Sequence, residues 1–262
     1  MQFVDAHCHF DFPRFDGCRD TELGKARAAG LQRLVIPGVR REDWARVRDT
    51  ALAYPDVYYC LGIHPWFSAD HRLADLDLIE EWLTADPERC VAIGECGLDR
   101  LRGGSLAEQY PLFEAQVSLA QRLERPLVIH SVKTHDDVHG VLNRCHWSGA
   151  ALIHGFSGSY QQAAKLVDLG CKIGVGGVIT HDRARKTRDT LARLPLAALV
   201  LETDAPDMAP EGVRPGQNSP AYLGGILAAL AELRGTSPQA LAPQLLANVE
   251  ELYGWRRERI GE

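Results

Sequence analysis

Nowhere does the chain carry an uninterrupted apolar run of the roughly 18 residues that a membrane-spanning helix needs. Its start, MQFVDAHCHF, has no basic stretch leading into a long apolar one. CxxC pairs are missing too: Cys8, Cys18, Cys60, Cys90, Cys96, Cys145 and Cys171 are scattered and odd in number, which argues against a disulfide framework and for reduced, mostly buried thiols. Positive charge is not in excess: 29 Lys and Arg face 35 Asp and Glu, a net charge of -6 that excludes the broad basic surface of a duplex-binding protein. Low-complexity tracts and Pro/Gly/Ser linkers are absent, so residues 1–262 are expected to form a single domain. The expected setting is the cytoplasm, with no membrane partner and no obligate protein partner.

Short runs of β-branched and apolar residues recur along the chain. They are QFVDAH, RLVIPG, VYYCLGIHP, CVAIGE, PLVIHS, AALIHG, CKIGVGG and AALVLETD. Between them lie segments of helical periodicity such as EDWARVRDTALAY, LDLIEEWLTA and SYQQAAKLVDLG, several closing on Gly or Pro. Repeated βα alternation in one domain of this length predicts a (β/α)8 TIM barrel, an α/β fold, with two further helices after the last strand. An open doubly wound sheet is the competing architecture.

Polar residues fall at the ends of these runs. His7 and His9 end the first, His64 the third, Glu95 the fourth, His130 the fifth, His154 the sixth and Asp204 the eighth. Strand alternation turns His7 and His9 to one side and Cys8 to the other. In a barrel the carboxyl ends of all strands converge on one face, so these residues become neighbours. A lone histidine ending an apolar run is commonly a hydrogen-bonded structural residue, but joint placement on one face argues for ligands. They exceed what one tetrahedral zinc accepts, and a carboxylate can bridge, which points to a pair of divalent ions. Mixed imidazole and carboxylate donors accept magnesium, manganese or zinc. His71, His135, His139, His146 and His181 are read as surface residues in helices or loops.

The segments DAHCHFDF, GIHP, GECGLD, VIHS, HGFSGS, KIGVGG and LETDAPDMAP, in this order from about residue 3 to 254, together resemble the TatD family of metal-dependent deoxyribonucleases, within the amidohydrolase superfamily. HGFSGS, KIGVGGVIT and ARKTRD look closest to the YjjV-like subgroup. The resemblance implies a TIM barrel with one or two metals, held by His7, His9, His130, His154, Asp204 and Glu95 as the bridging carboxylate. Relatives acting on amides, lactones or phosphotriesters often carry a carbamylated lysine where this chain has Glu95, which favours the phosphodiester branch. By analogy Asp204 is the general base, with Glu95 counted beside it as catalytic. His64 of GIHP is the expected substrate-binding residue, hydrogen-bonding a phosphate oxygen or else capping its strand.

Asp99 is expected to orient a ligand or the loop after it. Trp66 and Phe67 could stack on an exposed base or simply pack. Arg183, Arg185, Lys186 and Arg188 read as a solvated helix face, with a phosphate-positioning role as the alternative. RPGQNSP should fix a turn and start a helix. RLRGGSLAEQ departs from the family by bringing two arginines and a Gly pair, a more flexible and basic loop that leaves exonuclease polarity open. The expected activity is hydrolysis of DNA, or of another phosphodiester substrate, at single-stranded ends. A C–N or ester hydrolase on a small metabolite, or a scaffold with a relict metal site, are the alternatives.

Overall fold

The computed structural model describes residues 1–255; the stretch of the expected domain from 256 to 262 lies outside the described residues. Eight strands run β1 Phe3–Asp5, β2 Leu31–Pro37, β3 Val57–Leu61, β4 Cys90–Asp99, β5 Leu127–Val132, β6 Ala151–Ile153, β7 Cys171–Val175 and β8 Leu199–Leu201. Helices alternate with them: α1 Arg19–Ala29, α2 Trp44–Leu52, α3 Leu76–Ala85, α4 Leu106–Arg122, α5 His135–Arg144, α6 Tyr160–Asp168, α7 Arg185–Arg193, then α8 Leu223–Leu233 and α9 Pro238–Leu252. All neighbouring strands pair in parallel, in chain order. β8 returns to the first strand through Ala6 N to Leu201 O at 3.0 Å and Asp204 N to His7 O at 2.9 Å, which nearly closes the barrel. This is the expected (β/α)8 architecture rather than the open sheet.

The strands are covered on both faces and therefore read as continuous apolar runs; β4 is buried along its whole length. Helix starts are written locally. Ser105 and Glu108 form a capping box on α4, with Ser105 N donating to Glu108 Oε2 at 2.7 Å, and Ser159 accepts from Gln162 N at 3.2 Å on α6. Gly30 ends α1 with φ 118°, a conformation that favours glycine, and the chain turns straight into β2.

Val4, Val35, Cys60, Val128, Leu152 and Val200 come from different strands yet form one buried cluster, which is possible only inside the barrel. The same cluster includes Val249, Leu252, Tyr253 and Trp255, so the end of α9 plugs the amino-terminal mouth. Tyr253 donates its hydroxyl hydrogen to Ala6 O at 2.7 Å there. The larger core lies between the sheet and its ring of helices. With one mouth plugged, the polar strand ends line the other.

Candidate metal centre

Parallel pairing brings the carboxyl ends of β1, β3, β4, β5, β6 and β8 to one face, and every nominated ligand arrives there buried. Glu95 sits at the centre. Its Oε2 lies 3.4 Å from His7 Nε2 and 3.4 Å from His9 Nε2. Its Oε1 lies 2.7 Å from His154 Nε2, 3.0 Å from His130 Nδ1 and 3.2 Å from His64 Nε2. Asp204 Oδ1 closes the first group, 3.2 Å from His7 Nε2 and 3.5 Å from His9 Nε2. The rings of His7 and His154 stack at 3.9 Å between centroids. One carboxylate thus divides the imidazoles into two groups, one for each of its oxygens.

The donor set fits divalent cations. His7 Nε2, Glu95 Oε2 and Asp204 Oδ1 are buried without a well-formed hydrogen bond, although they face one another. Abandoning converging polar atoms away from water costs several kcal/mol each unless something of opposite character joins them. Donor atoms of His7, His9 and Glu95, of His7, His154 and Asp204, and of His64, Glu95 and His130 each lie close enough to share an ion. Burial pushes the Glu95 carboxyl up, but the imidazoles of His154, His64 and His7 outweigh it and hold the group well below the usual carboxylate range. Glu95 is therefore an anion able to bridge.

His64 differs from the other histidines. Its Nδ1 accepts the backbone N–H of Trp66 at 3.1 Å, starting the short 3-10 helix Pro65–Asp70, and burial lowers its pKa to about 4. A neutral ring accepting at Nδ1 carries its proton on Nε2. That nitrogen faces Glu95 Oε1 at 3.2 Å as a donor, so the capping expectation is met at Nδ1.

Residues around the ligands that sequence reasoning left open or missed are now placed. Asp99 Oδ2 accepts from His130 Nε2 at 3.0 Å and from Trp66 Nε1 at 2.7 Å, while its Oδ1 accepts Leu101 N at 2.7 Å and Arg102 N at 3.1 Å. It thus orients a ligand and the following loop together. Gln109 on α4 ties the same loop down, its Nε2 donating to Arg102 O at 3.0 Å, so RLRGG is held more firmly than its glycines suggest. Glu202 was missed. It is fully buried below the cluster, its Oε1 accepting Gly155 N at 2.6 Å beside His154, and burial raises its pKa to about 8. It follows β8 directly, two residues before Asp204.

Two readings need correction. His71 and His135 are buried, not surface residues: His71 Nδ1 donates to Phe67 O at 2.8 Å while its Nε2 accepts Arg41 N at 3.1 Å, and His135 packs edge-on against Phe156. Arg183, Arg185 and Lys186 are exposed, and none of them lines the cavity over the ligands; Arg188 donates to Ile179 O at 2.6 Å and pairs with Asp182. The solvated-face reading holds. That cavity, about 400 Å3, lies between the ligands and a rim that includes Phe12, Arg40, Trp66, Phe67 and Asp207. Arg46 braces its side by bridging Asp11 Oδ2 at 3.0 Å and Asp43 Oδ1 at 2.9 Å.

Known proteins match along the whole barrel. The family model described as TatD related DNase covers residues 4–254. The uncharacterized metal-dependent hydrolase YjjV of Escherichia coli K12 is 42% identical over 253 residues, 96% of this chain and 98% of the relative. The 3'-5' ssDNA/RNA exonuclease TatD of Klebsiella pneumoniae is 34% identical over 250 residues, 92% of this chain and 94% of the relative. The crystal structure of the E. coli YjjV protein, a TatD homologue, superposes with a TM-score of 0.91 at 41% identity, covering 96% of this chain and 98% of that one. A buried His, Glu and Asp cluster at the carboxyl mouth of an eight-stranded barrel, matched from end to end by these relatives, places the chain in the TatD family of metal-dependent hydrolases.

Proposed function

We propose that this protein hydrolyses phosphodiester bonds at the ends of single-stranded DNA, using two divalent ions, magnesium, manganese or zinc. The observation that carries the reading is the split of the Glu95 carboxylate, with His7 and His9 beside one oxygen and His130 and His154 beside the other. Those residues, with Asp204, would hold the ions. Bound there, divalent cations supply positive charge to a phosphate and acidify water near neutral pH.

The chain's own residues supply the rest. Asp204 stays ionised, since His7 and its neighbours offset the effect of burial, and it serves as the base that takes the attacking water's proton. His64 donates its Nε2 hydrogen to a non-bridging phosphate oxygen, and its low pKa keeps it neutral in that role. Phe12, stacked on His9 at 4.5 Å, shields that ligand from bulk water. A glutamate rather than a lysine within β4 supports phosphodiester over amide chemistry, as does likeness to relatives named as single-strand exonucleases. Seven free thiols suit a reducing cytoplasm.

The test is release of mononucleotides from a single-stranded oligonucleotide labelled at either end, with magnesium or manganese, against Glu95→Ala. Metal-dependent release lost in the variant is the expected outcome. Release no greater than that of the variant would reject the nuclease and direct attention to amides, lactones and small phosphoesters.

A further inference from the structure

One wall of the cavity serves no purpose in handling a phosphate. Phe12, Val39, Trp66 and Phe67 present carbon to a space otherwise floored by ionisable ligands. Trp66 is 42% exposed, leaving part of its indole open. Yet it is not loose: Asp99 holds its indole N–H, and the Arg102 guanidinium lies over its ring at 4.7 Å. The neighbouring Phe67 carries the Arg40 guanidinium at 4.9 Å in the same way. Two aromatic rings, each with an arginine guanidinium over it, therefore line a cavity whose floor is the candidate metal centre.

A phosphodiester needs cations and hydrogen-bond donors, and the floor supplies both. Carbon walls are redundant for it. A small amide or lactone gives two aromatic rings little to stack on. A nucleobase has a π-face and a polar edge, the features that aromatic rings and guanidinium planes recognise together. At about 400 Å3 the space sits near the small end for a ligand site. It suits one nucleotide, not several.

We propose that Trp66 and Phe67, with Phe12 and Arg40 in the same lining, form the subsite for the base of the terminal nucleotide. This rests on the phosphodiesterase reading only in placing the scissile phosphate over the cluster. Stacking is tolerant of base identity, so all four bases are accepted with modest preference. Arg40, in the same lining, offers a cation to the next phosphate along the strand, which draws in a single-stranded end despite the acidic charge of the whole chain.

Calorimetry on manganese-loaded protein tests it with two probes, thymidine 5'-monophosphate and 2-deoxyribose 5-phosphate, which share a phosphate and differ in the base. The wild type should bind the nucleotide at least about tenfold more tightly. Trp66→Ala with Phe67→Ala should bring the two affinities together, whereas Trp66→Phe, which keeps a ring but loses the bond to Asp99, should retain most of the preference. Comparing both probes on the same variant cancels any change at the metal centre. Equal affinities in the wild type, a preference that survives the double variant, or a Trp66→Phe protein that behaves like the double variant would each overturn the subsite. Oligonucleotide shortening is scored separately. A base preference without shortening supports the subsite and removes the nuclease, while shortening without a base preference does the reverse.

Discussion

His130 Nε2 donates to Asp99 Oδ2 at 3.0 Å, and that same oxygen accepts the indole hydrogen of Trp66 at 2.7 Å. The bond from Asp99 fixes the tautomer of His130, leaving Nδ1 free to face Glu95 and His154. Asp99 is therefore a positioning residue that joins the aromatic wall to a candidate ligand. Asp99→Ala should weaken metal binding by roughly 10- to 100-fold with the barrel intact, and Asp99→Asn, which keeps an acceptor, should lose less. Titration calorimetry with manganese reads this directly. Ion affinity unchanged in Asp99→Ala would mean that packing alone holds His130.

A converging set of buried donors should make the protein's stability depend on metal. Any ion bound only by the folded state adds about 2.7 kcal/mol at one hundred times its Kd. For a chain of this size that is on the order of 5–10 °C in Tm. Thermal melts with manganese or zinc should show the rise, a chelator should reverse it, and Glu95→Ala should lose most of it because both groups of imidazoles lose their shared anion. A Glu95→Ala protein stabilised as strongly as the wild type would contradict the bridging role.

The barrel and its ligands were legible because both depend on short-range pattern plus one topological fact. His7 and His9 both reach Glu95 Oε2, as alternation predicts, although β1 ends at Asp5 before them, and parallel strands must present their carboxyl ends together, so Glu95 and Asp204 could be assigned to the same mouth from spacing alone. Glu202 could not be, because its setting depends on Gly155 N arriving from the loop after β6, 47 residues earlier, and on Gly174 leaving room, where a Cβ would collide with the Glu202 carboxylate. His135 and His71 were misread for a similar reason. Their burial comes from Phe156 in one case and from the Arg41 backbone in the other, both distant in sequence. The loop after Asp99 looked slack by composition, and Gln109 in the following helix is what secures it.

His135 gives a pH dependence. Burial is the main cause that lowers its pKa to about 4, with a smaller opposing pull from Asp136. The folded chain thus keeps the ring neutral at pH values where an unfolded chain, with an ordinary histidine pKa near 6.5, has protonated it. Unfolding then takes up a proton, so stability falls as pH drops from about 6.5 towards 4 and falls no further below that from this group. The loss is on the order of 2–3 kcal/mol. In denaturant titrations at pH 7 and pH 4.5, His135→Phe should be affected less by acid than the wild type. Parallel curves at both pH values would show that the ring is protonated in the folded state as well.

Asn218, in the RPGQNSP segment, holds the loop that carries Asp204. It is fully buried, and its Nδ2 donates to Thr203 O at 2.8 Å and Asp207 O at 2.7 Å, while its Oδ1 accepts Ser219 N at 2.8 Å. Two carbonyls, that of Thr203 buried and that of Asp207 partly so, thus depend on one amide group, and Thr203 and Asp207 flank the candidate base. Asn218→Ala leaves both carbonyls unmet and should cost about 1–3 kcal/mol. Asn218→Asp keeps the shape and the bond from Ser219 but turns a carboxylate oxygen towards the same two carbonyls, replacing a donor by an acceptor in a dry site. It should therefore destabilise more than Asn218→Ala although it is the closer isostere, an order that packing alone would invert. Urea unfolding of the two variants decides it: an Asn218→Asp protein as stable as the wild type would mean that the segment is held by its shape and not by the amide's two hydrogens.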